Sequence, residues 1–286
     1  MVPTKNLKND ILNLFSMANL KRAAAGTMMA LITANASSAL AHAPETPQPH
    51  GTKTSAAPHP VHWDHNNQDK WSEISGVCSS GQFQSPINLT SENAPVDLPS
   101  WQAHYKDAEL HTHQNGHTFE IQYPAGSKVV LGGKEYELVQ FHFHTPSEYT
   151  LDGERFPMEA HFVHKDKEGN LLVIGMMMAE GAENPVLAKI WDHMPAKPGD
   201  PQAHPGVTIN AADFYPPQHG TGESVPYFQL MGSLTTPPCT ENVTWIVLKE
   251  PMKVSHEQIE RFRKLFPEGN ARELQPIRSH TPELGY

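Results

Sequence analysis

Apolar and polar positions alternate along much of the chain between residues 118 and 248, and the alternation predicts strands. Thr118–Tyr123 alternates and ends in the turn Pro124-Ala125-Gly126-Ser127. Lys128–Leu131 is followed by Gly132-Gly133, a hairpin signal, and then by a long alternating run, Glu135–His144. Side chains on a strand point to alternate faces. A strict period of two therefore places Leu138, Gln140, His142 and His144 on one face, with Phe141 and Phe143 on the other. After the turn Asp152-Gly153, Met158–His164 alternates again, with Glu159, His161 and Val163 sharing a face. Lys167-Glu168-Gly169-Asn170 turns into Leu171–Met178, a continuous apolar run that reads as a buried strand. Tyr227–Met231 and Val243–Leu248 are further strands, the last with Val243, Trp245 and Val247 on one face.

Two segments carry the helical period instead. Asn184-Pro185 supplies an N-cap followed by Pro at the first helical position, and Leu187, Ile190, Trp191 and Met194 follow at helical spacing. Ser255-His256-Glu257-Gln258 is a capping box, with Ile259, Phe262 and Phe266 on one face after it. Residues 195–226 are Pro-rich and irregular and read as a long loop, functional or packed over the sheet. Many strands, few helices and no internal repeat predict a mainly β (α+β) single domain.

A chain of 286 residues suits one large domain or two small ones. Its net charge of −10 argues against a nucleic-acid partner, which would need clustered Lys and Arg. No run of about 18 apolar residues occurs, so no membrane span is expected. Residues 1–41 read as a signal peptide. Lys5, Lys8, Lys21 and Arg22 form its basic part, Ala23–Leu40 its apolar run, and the small residues at 39–43 a cleavage site. The expected location is thus periplasmic or secreted. Residues 42–60, rich in Pro and His, have no apolar period and read as a disordered tail, which leaves 61–286 as the folded domain. The two cysteines, Cys78 and Cys239, fit either a single disulfide in an exported protein or two unrelated buried thiols. Eighteen histidines is a high count, but abundance alone is weak evidence for metal.

Placement says more. His142 and His144 share a strand face, and the connection from His144 to Met158 makes the next strand a plausible antiparallel neighbour. That strand offers His161 and His164 on opposite faces as candidates for a third imidazole, and with the strands paired His142, His144 and His161 could converge. Gln140 and Glu159 each sit two residues before a candidate ligand, where each could accept the ring N–H its histidine does not use for metal. One His-x-His pair alone would read as the polar face of a surface strand. Three imidazoles with two matching acceptors point to a Zn2+ site with one open position, an arrangement whose worked example is carbonic anhydrase.

The chain resembles that family, the α-class carbonic anhydrases, and within it the bacterial exported type. The resemblance rests on Gln84-Ser85-Pro86-Ile87, Asn115-Gly116-His117, Gln140-Phe141-His142-Phe143-His144, Ser147-Glu148-Tyr149-Thr150, Glu159–His164, Gly232–Cys239 and Val243–Pro251, in the family's order. It covers residues 62–280 and implies a large, twisted, mostly antiparallel sheet with short peripheral helices. By position it implies zinc ligands His142, His144 and His161, braced by Gln140, Glu159 and a backbone carbonyl near Asn270. Thr235 resembles the threonine that orients the nucleophile, Glu148 the glutamate that takes that threonine's proton, and His117 the proton shuttle. Val163, Val173, Leu234 and Val243 match the apolar wall that receives carbon dioxide, with Thr235 and Thr236 beside it. Cys78 and Cys239 match a disulfide of exported members. The implied activity is reversible hydration of carbon dioxide to bicarbonate and a proton, with a homodimer as one open assembly. The alternatives are a non-catalytic relative that only binds ligands and a periplasmic zinc buffer using the His-rich tail. Trp63-Asp64-His65 departs from the family's Trp-x-Tyr, which bears on the active-site water network.

Overall fold

The computed structural model describes residues 63–92, 94–215 and 225–285; the signal peptide and tail expected over 1–60 lie outside them. A 3-10 turn, His65–Lys70, runs into the short helices α1 (Trp71–Ile74) and α2 (Val77–Ser80). The strands follow: β1 (Asn88–Leu89), β2 (Trp101–His104), β3 (Ala108–Gln114), β4 (Phe119–Gln122), β5 (Lys128–Leu131), β6 (Lys134–His144), β7 (Thr150–Leu151), β8 (Glu154–Arg155), β9 (Met158–Lys165) and β10 (Leu171–Glu180). Next come α3 (Pro185–Trp191), β11 (Gln202–Ile209), β12 (Tyr227–Ser233), β13 (Glu241–Val254), α4 (His256–Arg263) and β14 (Glu283–Gly285).

The main sheet runs β11-β3-β4-β6-β9-β10-β13-β12-β14, with β5 also on β6 and β2 on β5. Its neighbours are antiparallel except β10 and β13, which run parallel because a long crossover through α3, β11 and β12 separates them. Both helix starts form as the sequence predicts. Asn184 Oδ1 accepts from Val186 N and Leu187 N, and Ser255 and Gln258 close a reciprocal capping box.

Two expectations fail for local reasons. Leu138 lies on the Phe141 side of β6 and not with the histidines. A register shift between Leu138 and Gln140 in the pairing with β9 reverses the parity, so Leu138, Phe141 and Phe143 enter one core while Val139 faces out. The stretch read as a loop from 195 also contains β11, an edge strand on β3. Its burial does not alternate, and Pro205 and Gly206 fall where its register shifts, so it carries no period to read.

Phe141, Phe143 and Phe162 are fully buried behind the sheet. Phe143 meets Trp191 of α3 edge-on at 4.8 Å and Phe262 of α4 at 5.9 Å. Burying each such ring contributes about 1.5–3 kcal/mol, so the helices clamp β6 from the rear and hold its other face rigid.

Candidate metal centre

The register of β6 against β9 puts His142 directly opposite His161 and His144 opposite Glu159. The three rings stand 5.0, 5.4 and 4.6 Å apart, and one nitrogen from each can be chosen so that all three lie within 4.8 Å of one another. His164, on the other side of β9, is not among them: its ring meets Tyr105 OH and Leu172 O.

Two of the remaining nitrogens are hydrogen-bonded, and the third has a carboxylate beside it. His142 Nδ1 donates to Gln140 Oε1 at 2.8 Å, and His144 Nδ1 donates to the Asn270 carbonyl at 2.8 Å. His161 Nε2 lies 3.0 Å from Glu159 Oε1 without forming a hydrogen bond, and both atoms are buried with no other hydrogen-bond partner. These contacts leave Nε2 of His142 and His144 and Nδ1 of His161 for the centre of the cluster. Gly175 stands opposite His161 on β10, and a Cβ there would come within 3.0 Å of Glu159 Oε1. Glycine therefore makes room for this carboxylate, a role that carries no sequence signal of its own.

Burial, and then the neighbouring imidazoles, hold His142 well below the usual histidine range; burial brings His161 down to about 4. Burial pushes Glu159 up to about 7, against two backbone N–H donors, Glu148 N at 2.7 Å and Tyr149 N at 2.9 Å. Neutral imidazoles with lone pairs turned inward are what a metal ligand set requires. His144 Nε2 is buried without any hydrogen-bond partner, a costly arrangement in a protein interior unless an ion takes the lone pair. The residues present thus fit zinc.

Of the other expected residues, Glu148 reaches the triad. Glu148 Oε1 accepts from Arg272 N at 2.8 Å and lies 3.5 Å from His144 Nδ1. Glu148 Oε2 is buried with no hydrogen-bond partner. Thr235 is buried in the β12–β13 loop, but no hydrogen bond joins it to Glu148. That loop is fastened by Leu234 N to Thr240 O at 2.9 Å, by Cys239 N to Thr236 O at 2.9 Å and by the Cys78–Cys239 disulfide. Val173 and Val243 belong to one buried cluster with Trp245 and Val247, and Val163 and Leu234 pack against it. His117 is half-buried and stacks on Trp63 at 3.8 Å. His65 stands edge-on to Trp63 and Trp71, and burial, then His144 and His117, bring it down to about 3.

Two residues do more than their sequence context announces. Fully buried Asn270 accepts from His144 through its carbonyl and from Thr145 N through Oδ1. Its Nδ2 donates to Phe143 O and His117 O. It thereby ties the ligand strand to the loop bearing His117. Arg272, missed from sequence, is 2 % exposed and reaches Cys78 O at 2.9 Å and Ser85 O at 2.7 Å, while its own N–H holds Glu148.

The comparisons with known proteins agree with this geometry. The eukaryotic-type carbonic anhydrase family matches residues 66–281. A carbonic anhydrase from Nostoc is 38 % identical over 216 residues, covering 73 % of this chain and 79 % of its own. One from Neisseria gonorrhoeae is 37 % identical over 235 residues, covering 79 % of this chain and 90 % of its own. The structure of the α-carbonic anhydrase from Thermovibrio ammonificans with sulfanilamide superposes with a TM-score of 0.71 at 38 % identity, covering 79 % of this chain and 99 % of that one. With the family matched across the folded residues, and its relatives alike in sequence and in structure, the chain belongs to the eukaryotic-type, or α, carbonic anhydrases.

Proposed function

We propose that the protein is a zinc enzyme that reversibly hydrates carbon dioxide to bicarbonate and a proton. The observation that carries this reading is the convergent triad His142, His144 and His161, with second nitrogens of the first two hydrogen-bonded to Gln140 Oε1 and Asn270 O and with Glu159 Oε1 3.0 Å from His161 Nε2. Zinc held by three neutral imidazoles lowers the pKa of a coordinated water to near 7, an effect of which carbonic anhydrase is itself the worked example.

The chain's own residues supply the rest. Thr235, on its clamped loop, orients the attacking water oxygen. A hydroxyl whose proton is committed to a carboxylate offers only lone pairs, and Glu148 Oε2 is buried with no hydrogen-bond partner, free to take that proton. Arg272 N fixes the other oxygen of that carboxylate. Val163, Val173, Leu234 and Val243 form an apolar wall that suits a small nonpolar gas, and Thr236 follows Thr235 on the loop after Leu234. His117, half-buried on its loop, receives the proton and passes it to buffer. The disulfide suits an oxidising compartment, and no helix among the described residues is long and apolar enough to cross a membrane. We take the protein to be periplasmic or secreted, with residues 1–41 removed on export.

The test is a stopped-flow hydration assay on the full chain before chelation, after it, and with zinc restored. Activity should vanish with the metal and return with it. Activity that survives complete metal removal, or none in the zinc-loaded protein, would sink the reading.

A further inference from the structure

A second pair of histidines lies away from the triad. His193 follows α3, its backbone N–H bonded to Ile190 O at 3.0 Å, and His204 lies on β11. Their rings are 4.5 Å apart at 46°, close to the 4.6 Å and 49° that separate His144 and His161 within the triad. The register places this pair on the other side of the sheet. His113 is opposite Glu120, and Glu120 is opposite His142, so those three share the triad's face. Thr112, one residue from His113, points the other way, and His204 bonds to it.

We propose that His193 and His204 form a second metal site for a borderline divalent cation such as Cu2+, Ni2+ or Zn2+, its other positions filled by water. Imidazole is the ligand such cations favour, with Cu2+ bound most tightly. His204 Nε2 and Thr112 Oγ1 are 2.8 Å apart, and Thr112 is fully buried in β3. When the ring donates to that hydroxyl, the tautomer is fixed and Nδ1 carries the free lone pair, as in the braced ligands of the triad. No carboxylate of the described residues forms an ion pair with either ring. His204 is held below the usual histidine range by partial burial and then by His193 and His111, which keeps its lone pair available near neutral pH. Both rings are half-buried, so solvent ions reach them. The net charge of −10 favours the approach of cations.

The test titrates the full chain, its resident metal measured first, with Cu2+ while metal content, the copper electron-spin signal and hydration activity are followed. The parent chain should bind one equivalent of Cu2+ that His193→Ala and His204→Ala both lack, with resident metal and activity unchanged in all three. Thr112→Val keeps both rings but should weaken that equivalent by about ten- to hundredfold, the usual cost of losing an outer-shell partner. Any histidines of the 42–60 segment are the same in every sample and cancel in the comparison. Equal copper stoichiometry and affinity in the parent and both alanine variants would overturn the proposal. So would loss of copper only in parallel with loss of the resident metal, which would put the ion at the triad.

Discussion

His161 and His164 sit three residues apart on the same strand, both fully buried and both held to about 4 by desolvation. What differs is how their nitrogens are met. His164 is satisfied on both sides: Nδ1 donates to Leu172 O at 3.3 Å, and Nε2 is 2.8 Å from Tyr105 OH, which in turn is 3.0 Å from Tyr215 OH. His161 stands in a cluster with two more imidazoles; its Nε2 lies 3.0 Å from Glu159 Oε1 without a hydrogen bond, and His144 likewise keeps a buried Nε2 with no hydrogen-bond partner. Burial and a lowered pKa therefore do not mark a functional histidine. An unspent lone pair converging with others does. The His164 site has its nitrogens satisfied within the fold, and the triad leaves nitrogens unmet at a cost that the proposed ion would offset.

The hardest way to break that contrast is to remove one member from each side. His144→Ala should abolish stoichiometric zinc and lower hydration kcat/KM by on the order of 10³-fold, the several kcal/mol a catalytic metal supplies. Zinc content by mass spectrometry and stopped-flow rates would check it, and a variant with normal zinc would end the distinction. On the other side, acid should expose His164. Its folded pKa of about 4 lies below the usual 6.5, so the unfolded chain binds the extra proton. Its contribution is fully present above pH 6.5 and disappears as pH falls from 6.5 to 4, on the order of 3 kcal/mol. Denaturant midpoints of His164→Gln should show a flatter loss between those pH values than the parent; equal slopes would mean another group carries the effect.

Two smaller changes sharpen the comparison. For His117→Ala, turnover in weak buffer should drop by about a hundredfold, at the low end for general acid–base groups, with zinc unaltered and added imidazole restoring part of the rate. Tyr105→Phe should cost about 1–3 kcal/mol of stability by leaving His164 Nε2 unpaired, while zinc and activity stay as they were. Lost zinc in that variant would mean that the two histidine sites are coupled.

The sequence shows these two environments unequally. Period-two alternation was enough to set His161 apart from His164 and to put Gln140 and Glu159 behind their ligands, because a strand's faces are dictated by its backbone. The same rule misplaced Leu138, since a bulge leaves no mark in the spacing of apolar residues. β11 escaped because an exposed edge strand containing Pro205 and Gly206 has no face to bury. The third brace is a main-chain oxygen at Asn270, which no residue type announces; family likeness suggested the neighbourhood, and the fold supplied the 2.8 Å contact. Thr235 and Glu148 were suggested by the same likeness, and each is buried, Glu148 beside His144 and His161, yet no hydrogen bond joins the two.

The central claim is that three imidazoles, turned by Gln140, Asn270 and Glu159, hold one zinc with an open position. Zinc K-edge absorption on the full chain loaded with one equivalent tests it most directly. The expected shell is four-coordinate, three histidine nitrogens and one oxygen from solvent, all at about 2.0–2.1 Å. A shell with two or fewer imidazoles, or one that is unchanged in His144→Ala, would contradict it.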